Sequence, residues 1–155
     1  MKDDNMPLPK KSTYTIDDIY ALPEGERAEL IDGHIYYIAP PSRIHQRIST
    51  RLTSIIDRYI EDHHGQCQVY AAPFAVHLDE TGNTYVEPDI SVICDPDKLN
   101  DKGCIGSPDW IVDPSRNQIV VYNFERGDME QYTLQDSIKV GIYENLYINF
   151  SQINL

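Results

Sequence analysis

From its first residues the chain alternates short apolar runs with polar breaks, and the period of that alternation changes along it. "TIDD", Thr15 to Asp18, opens a short helix: Thr15 suits the N-cap and the two acids suit the first turn. "AELIDGHIYY" reads as a hairpin, with Asp32-Gly33 as a two-residue turn between apolar arms. Ile44, Ile48, Leu52, Ile55, Tyr59 and Ile60 then recur at helical spacing. They predict one long helix from Arg43 to His64, with Ser42 as N-cap and Gly65 as stop. From Gln68 to Cys94 the pattern turns to β, as two strands joined at Asp79 to Asn83. Asp95 to Ser107 is polar and loop-like. Trp110 to Leu134 predicts three more strands, with turns at Asp113-Pro114-Ser115 and Arg126-Gly127-Asp128, and the tail ends in a further strand. Helix, hairpin, long helix, then mostly β: this order describes an α+β domain around one mixed or antiparallel sheet.

Length narrows the picture to a single domain. The 155 residues divide into a polar leader, 1–13, expected to be disordered because of Pro7 and Pro9, and one domain over 14–155. No apolar run approaches the roughly 18 residues of a membrane span. Cys67, Cys94 and Cys104 form no CxxC pair, and their odd number and wide spacing predict free thiols and a cytoplasmic setting. A formal charge of -12 argues against non-specific affinity for nucleic acid or anionic membrane, which comes from Lys and Arg. It leaves room for a nuclease whose acids bind metal. Arg43, Arg47 and Arg51 make an i, i+4 row on the long helix, with Arg58 near its extension. That row is either a solvated face paired with acids or a phosphate-contacting stripe.

One stretch does not fit the β pattern it lies in. "TYVEPDISVIC" sets Pro88-Asp89 among Val86, Ile90, Val92 and Ile93. An unpaired carboxylate is costly among apolar residues, and proline belongs at strand edges or irregularities. Either Asp89 points outward from an edge strand, or a cation offsets its charge.

Four pieces in order extend this reading: "AELIDGHIYYIAPPSRIHQRISTRLTSII", "YVEPDISVI", "KGCIGSPD" and "WIVDPSRNQIVVYNFE". Together they resemble the Uma-two family of restriction endonucleases, within the PD-(D/E)xK nuclease superfamily, over about Tyr14 to Leu134. The resemblance implies a restriction-endonuclease-like mixed β-sheet flanked by helices, with the long helix after the first hairpin. It implies metal-dependent hydrolysis of DNA phosphodiesters with Mg²⁺ or Mn²⁺. Pro88 and Asp89 match the Pro-Asp of the motif, Glu29 the glutamate of the Glu-Leu-Ile-Asp-Gly signature, and His45 the histidine near the start of the long helix. Asp89, Glu29 and His45 are therefore the expected active-site residues, with Asp89 and Glu29 on the metal and Arg43, Arg47 and Arg51 on phosphate. Such hydrolysis needs an activated water and neutralisation of the charge that develops on phosphate, which a hard cation on carboxylates provides. Read from the residues alone, Glu29 is equally a solvent-facing hairpin residue, and His45 equally a helix-capping or packing residue.

The resemblance also exposes a departure. After "GSPD" it calls for a buried apolar strand ending in a glutamate before a Leu-Ser-Pro-like turn, then a helix carrying an aspartate, a lysine and a tyrosine. Here Asp109 runs directly into Trp110. Asp95, Asp97, Lys98 and Lys102 lie in a loop with no matching strand. Impaired catalysis follows, and with it a second reading: a non-catalytic domain that binds nucleic acid or a protein on a nuclease scaffold. A lost central strand would also leave two sheet edges open, and with the aromatics Tyr122, Phe124, Tyr132, Tyr143, Tyr147 and Phe150 this predicts a homo-oligomer.

Overall fold

The computed structural model describes residues 8, 10–114, 118–139, 145–149 and 153. Its elements begin with α1 (Ile16–Tyr20), β1 (Ala28–Ile31), β2 (His34–Tyr37), α2 (Arg43–Asp62), β3 (Gln68–Ala71), β4 (Val76–His77), β5 (Tyr85–Val86) and β6 (Ile90–Ile93). They continue with a 3₁₀ turn (Pro96–Lys98), β7 (Leu99–Asn100), β8 (Gly103–Ile105), β9 (Trp110–Pro114), β10 (Ile119–Asn123), β11 (Asp128–Tyr132), β12 (Ser137–Lys139) and β13 (Tyr147–Asn149). No helix among the described residues is long and apolar enough to cross a membrane. The class is α+β, as expected.

Local chemistry explains the first half. Thr15 caps α1 through a reciprocal box with Asp18, and Lys11 reaches back to the Asp18 carboxylate. Of the leader expected over 1–13, residues 1–7 and 9 lie outside the described residues. Asp32 and Gly33 both have positive φ, +49° and +77°, so β1 and β2 join through the mirror-image turn that matches strand twist. Ser42 accepts from the His45 N–H and starts α2. On α2, Ile48, Leu52, Ile56 and Ile60 are buried at four-residue spacing against Ile90, Val92, Trp110, Val112, Ile119 and Val121.

The β half differs from its sequence pattern in three ways. The two strands expected between Gln68 and Cys94 are four, and their halves enter different sheets. Pro73 and Pro88 lie at the breaks, where a missing N–H costs no ladder bond. Two main sheets result, in place of one. β11-β10-β9-β6-β3 is antiparallel throughout, and β2-β1-β5-β4-β8-β7 is mixed, with β4 and β8 parallel. A third, two-stranded sheet joins β12 and β13. The expected loop Asp95 to Ser107 contains β7 and β8; Gly103, at φ +127°, lies so close to β4 that a Cβ would meet the Ala75 carbonyl. Layers follow from packing: α2 covers one face of the five-stranded sheet, and Ile93 on the other face meets Val76 and Cys104 of the six-stranded sheet.

Cys67 and Cys94, expected to be free, form a disulfide with Cα atoms 3.9 Å apart. The cause is register: Gln68 pairs with Ile93 across β3 and β6, so the next rung sets the two cysteines opposite each other. Cys104 is free and buried. The open edges expected after Asp109 do not arise, because β9 pairs directly with β6 on one side and β10 on the other. That ground for self-association is met within the chain; Tyr143 and Phe150 lie outside the described residues.

Candidate active site

Asp89 is not inside a strand. It occupies the bend between Pro88 and the first residue of β6, and its carboxylate turns toward α2. Its Oδ2 lies 2.8 Å from His45 Nε2, so the first turn of α2 and the start of β6 hold each other's polar groups. The Nδ1 of His45 is buried without a partner among the described residues. The outward, edge-strand alternative for Asp89 therefore does not apply.

Asp113 completes the arrangement. It lies on β9 one residue before Pro114, and its Oδ1 accepts the Asp89 backbone N–H at 3.0 Å. Burial pushes its carboxyl up to about 6. The Asp89 N–H and His45 oppose that rise, whereas the negative charges of Asp89 and Glu29 add to it. Glu29, on β1, accepts the Glu87 N–H through Oε1 at 2.9 Å. Glu87 in turn binds the Arg27 guanidinium and accepts from the Tyr85 hydroxyl at 2.8 Å. Two sheets thus contribute, Glu29 from β1 of the six-stranded one and Asp113 from β9 of the five-stranded one, while Glu87 and Asp89 lie on the segment joining β5 to β6.

Glu29, Asp89 and Asp113 line one cleft of about 480 Å³, together with Ile31, Ile111, Tyr122 and Phe124. His45 and Asp89 line a second, of about 750 Å³, that runs along α2 past Gln46, Ser49, Thr50 and Thr53. Asp89, Glu87 and Ile38 belong to both, so the clefts meet at the carboxylates. Arg43, Arg47 and Arg51 line neither. Arg51 lines a neighbouring cavity with Arg58, and Ser54 belongs both to it and to the cleft along α2.

Of the residues named from the sequence, Asp89 touches His45 and shares a cleft with Glu29, His45 lines only the other cleft, and Arg43, Arg47 and Arg51 line neither. Asp113 was missed because the search was for a lysine-bearing pair after Asp109. In sequence, Trp110-Ile111-Val112-Asp113-Pro114 reads only as an apolar strand closed by an acid before proline.

The three acids offer carboxylate oxygens in one cleft. Asp89, Asp113 and Glu29 each engage one carboxylate oxygen within the protein and leave the other without a protein donor among the described residues. Hard cations accept a few carboxylates and complete their shell with water. The set is not a closed cage: among the described residues no three His, Cys, Asp or Glu side chains are grouped to hold an ion by themselves.

Comparison with known proteins gives three findings. A family model described as "Uma2: Putative restriction endonuclease" matches residues 16–113, ending on Asp113. "Uncharacterized protein slr1290" of Synechocystis sp. (strain ATCC 27184 / PCC 6803 / Kazusa) is 34% identical over 71 residues, 46% of this chain and 36% of that protein. The match thus spans about a third of the relative's length. A crystal structure described as "a putative nuclease belonging to DUF820", from Anabaena variabilis ATCC 29413, superposes with a TM-score of 0.64 at 17% identity, over 90% of this chain and 96% of the other. At that identity the likeness speaks for the fold alone.

Proposed function

This chain belongs to the Uma2 family, and from that membership we propose that its carboxylate cluster hydrolyses DNA phosphodiesters slowly, with a divalent cation. The observation that carries the reading is the convergence of Asp89, Asp113 and Glu29, with the half-buried Asp113 carboxyl raised to about 6 beside two other acids. An acid raised by burial beside other carboxylates in a cleft is a candidate functional group.

Asp89 and Asp113, with Glu29 behind them, would hold Mg²⁺ or Mn²⁺, which when bound acidifies a water and neutralises charge on phosphate. His45 acts through Asp89: its Nε2 fixes the carboxylate orientation, and Ser42 fixes the turn that carries it. Glu87 holds Glu29 by its backbone N–H, and Arg27 balances Glu87.

What the clefts lack explains slowness. Their one lining guanidinium, Arg27, is already set against Glu87, the His45 ring lies against Asp89, and no lysine is among the lining residues. Losing one positioned donor for developing charge costs on the order of 100-fold or more in rate. The open carboxylate set favours the second reading, a non-catalytic interaction domain on this scaffold.

Circular DNA, supercoiled and single-stranded, incubated with Mg²⁺ or Mn²⁺ decides between them. Hydrolysis predicts slow nicking that disappears in Asp89→Asn and Asp113→Asn. Nicking that is equal in wild type and both variants, or no nicking at all, leaves the interaction domain.

A further inference from the structure

The two clefts that meet at Asp89 have different walls. Along α2 the wall is mostly hydroxyls, Ser49, Thr50, Thr53 and Ser54, with Gln46, His45 and the acid Asp57. In the other it is aromatic. Tyr122 and Phe124, two residues apart at the end of β10, project from the same face of the sheet and are 36% and 38% exposed. Tyr122 pairs across the ladder with Ile111, and Asp113 is two residues beyond Ile111 on β9. The rings and the Asp113 carboxylate therefore share one face. The opposite face of the same strands is sealed, with Val112, Ile119 and Val121 packed beneath α2.

Single exposed aromatics are ordinary. A pair set beside an acid cluster, in the same cleft, calls for a flat apolar occupant next to a charged one. A nucleotide has both parts: a base with two apolar faces, and a phosphate. In a duplex those faces are stacked and hidden, and binding relies on Lys and Arg at many phosphates. Here Arg27 and His45 stand against Glu29, Glu87, Asp89 and Asp113. Base–aromatic stacking adds affinity beyond phosphate contacts and tolerates any base.

We infer that the substrate enters as an unpaired strand, with the base beside the scissile phosphate stacked on Tyr122 and Phe124. This rests on the phosphodiesterase reading above, and adds the strandedness of the substrate and the residues that select it. The neighbouring nucleotides lie along the hydroxyl wall of α2.

The test is fluorescence anisotropy with the full chain in EDTA, which prevents turnover, using a labelled 12-nucleotide single strand and the same sequence as a duplex. The single strand should bind at least tenfold tighter than the duplex. Tyr122→Ala/Phe124→Ala should lose about 10- to 100-fold in single-strand affinity, whereas Tyr122→Phe should retain it. Tyr122→Leu/Phe124→Leu preserves apolar volume without an aromatic ring and should lose affinity likewise; circular dichroism establishes that each variant is folded. Duplex binding as tight as single-strand binding, or wild-type affinity in either folded double variant, overturns the inference. Because the readout is binding, its failure leaves Asp89-dependent cleavage standing. Conversely, the expected affinities with no cleavage by the wild type support strand binding and overturn hydrolysis.

Discussion

Asp113 is the residue on which the site turns. Its carboxyl titrates near 6 in the folded chain against about 3.8 when unfolded. Between those values the folded state binds the extra proton, so its stability contribution is present at low pH and lost as pH rises through about 4 to 6. Asp113→Asn cannot lose that proton. In urea unfolding with EDTA, the variant should gain on wild type by about 2 kcal/mol at pH 7.5 relative to pH 4.5. An equal difference at both pH values would place the Asp113 carboxyl at its ordinary value. Three of the four site residues were readable in the sequence: Asp89 because it breaks an apolar run, Glu29 and His45 only through the family resemblance. Asp113 breaks no pattern, since an acid before proline at a strand end reads as turn chemistry. Only the hydrogen bond to Asp89 across two strands distinguishes it.

At the scale of elements, helices and hairpins were legible and strand partition was not. Ser42, Gly65 and Asp32-Gly33 are punctuation that acts within a few residues, and the bounds they suggest agree with α1, α2, β1 and β2. Pro73 and Pro88 are punctuation too, but the apolar alternation runs on past both, so the split into two sheets is set by pairing partners far along the chain. The same long-range register brings Cys67 opposite Cys94, 27 residues away, with no spacing signal to announce it. A cross-link closing a loop of that length restricts the unfolded chain by about 3.5 kcal/mol. Urea unfolding with and without reductant should show that loss, and Cys67→Ser/Cys94→Ser should match the reduced protein. Cys104 should resist alkylation until the chain unfolds, since burial hides it and raises its thiol. A midpoint indifferent to reductant would show that the bond does not form in solution.

For the whole molecule, charge decides how a polyanion can be held. The chain carries -12 overall, and Arg43, Arg47 and Arg51 are not among the residues lining the clefts that share Asp89. A strand bound in those clefts meets Arg27 and His45, and both face carboxylates. Counterion release is worth a slope of about -0.7 per neutralised phosphate for single strands. Two contacts set a limit near -1.4 on the dependence of log K on log salt. Repulsion from the remaining negative charge, which salt screens, flattens the slope further. Titrating the labelled single strand between 50 and 300 mM salt should therefore give a slope shallower than about -1.4, unusually weak for a nucleic-acid-binding protein. The Tyr122→Ala/Phe124→Ala protein should keep that slope while its affinity falls, because stacking is indifferent to salt at this level. A slope of about -3 or steeper, reduced by Arg43→Ala/Arg47→Ala/Arg51→Ala, would move the strand from the carboxylate clefts to the basic side of α2. The expected phosphate stripe would then be right, and the aromatic wall would be left without a ligand.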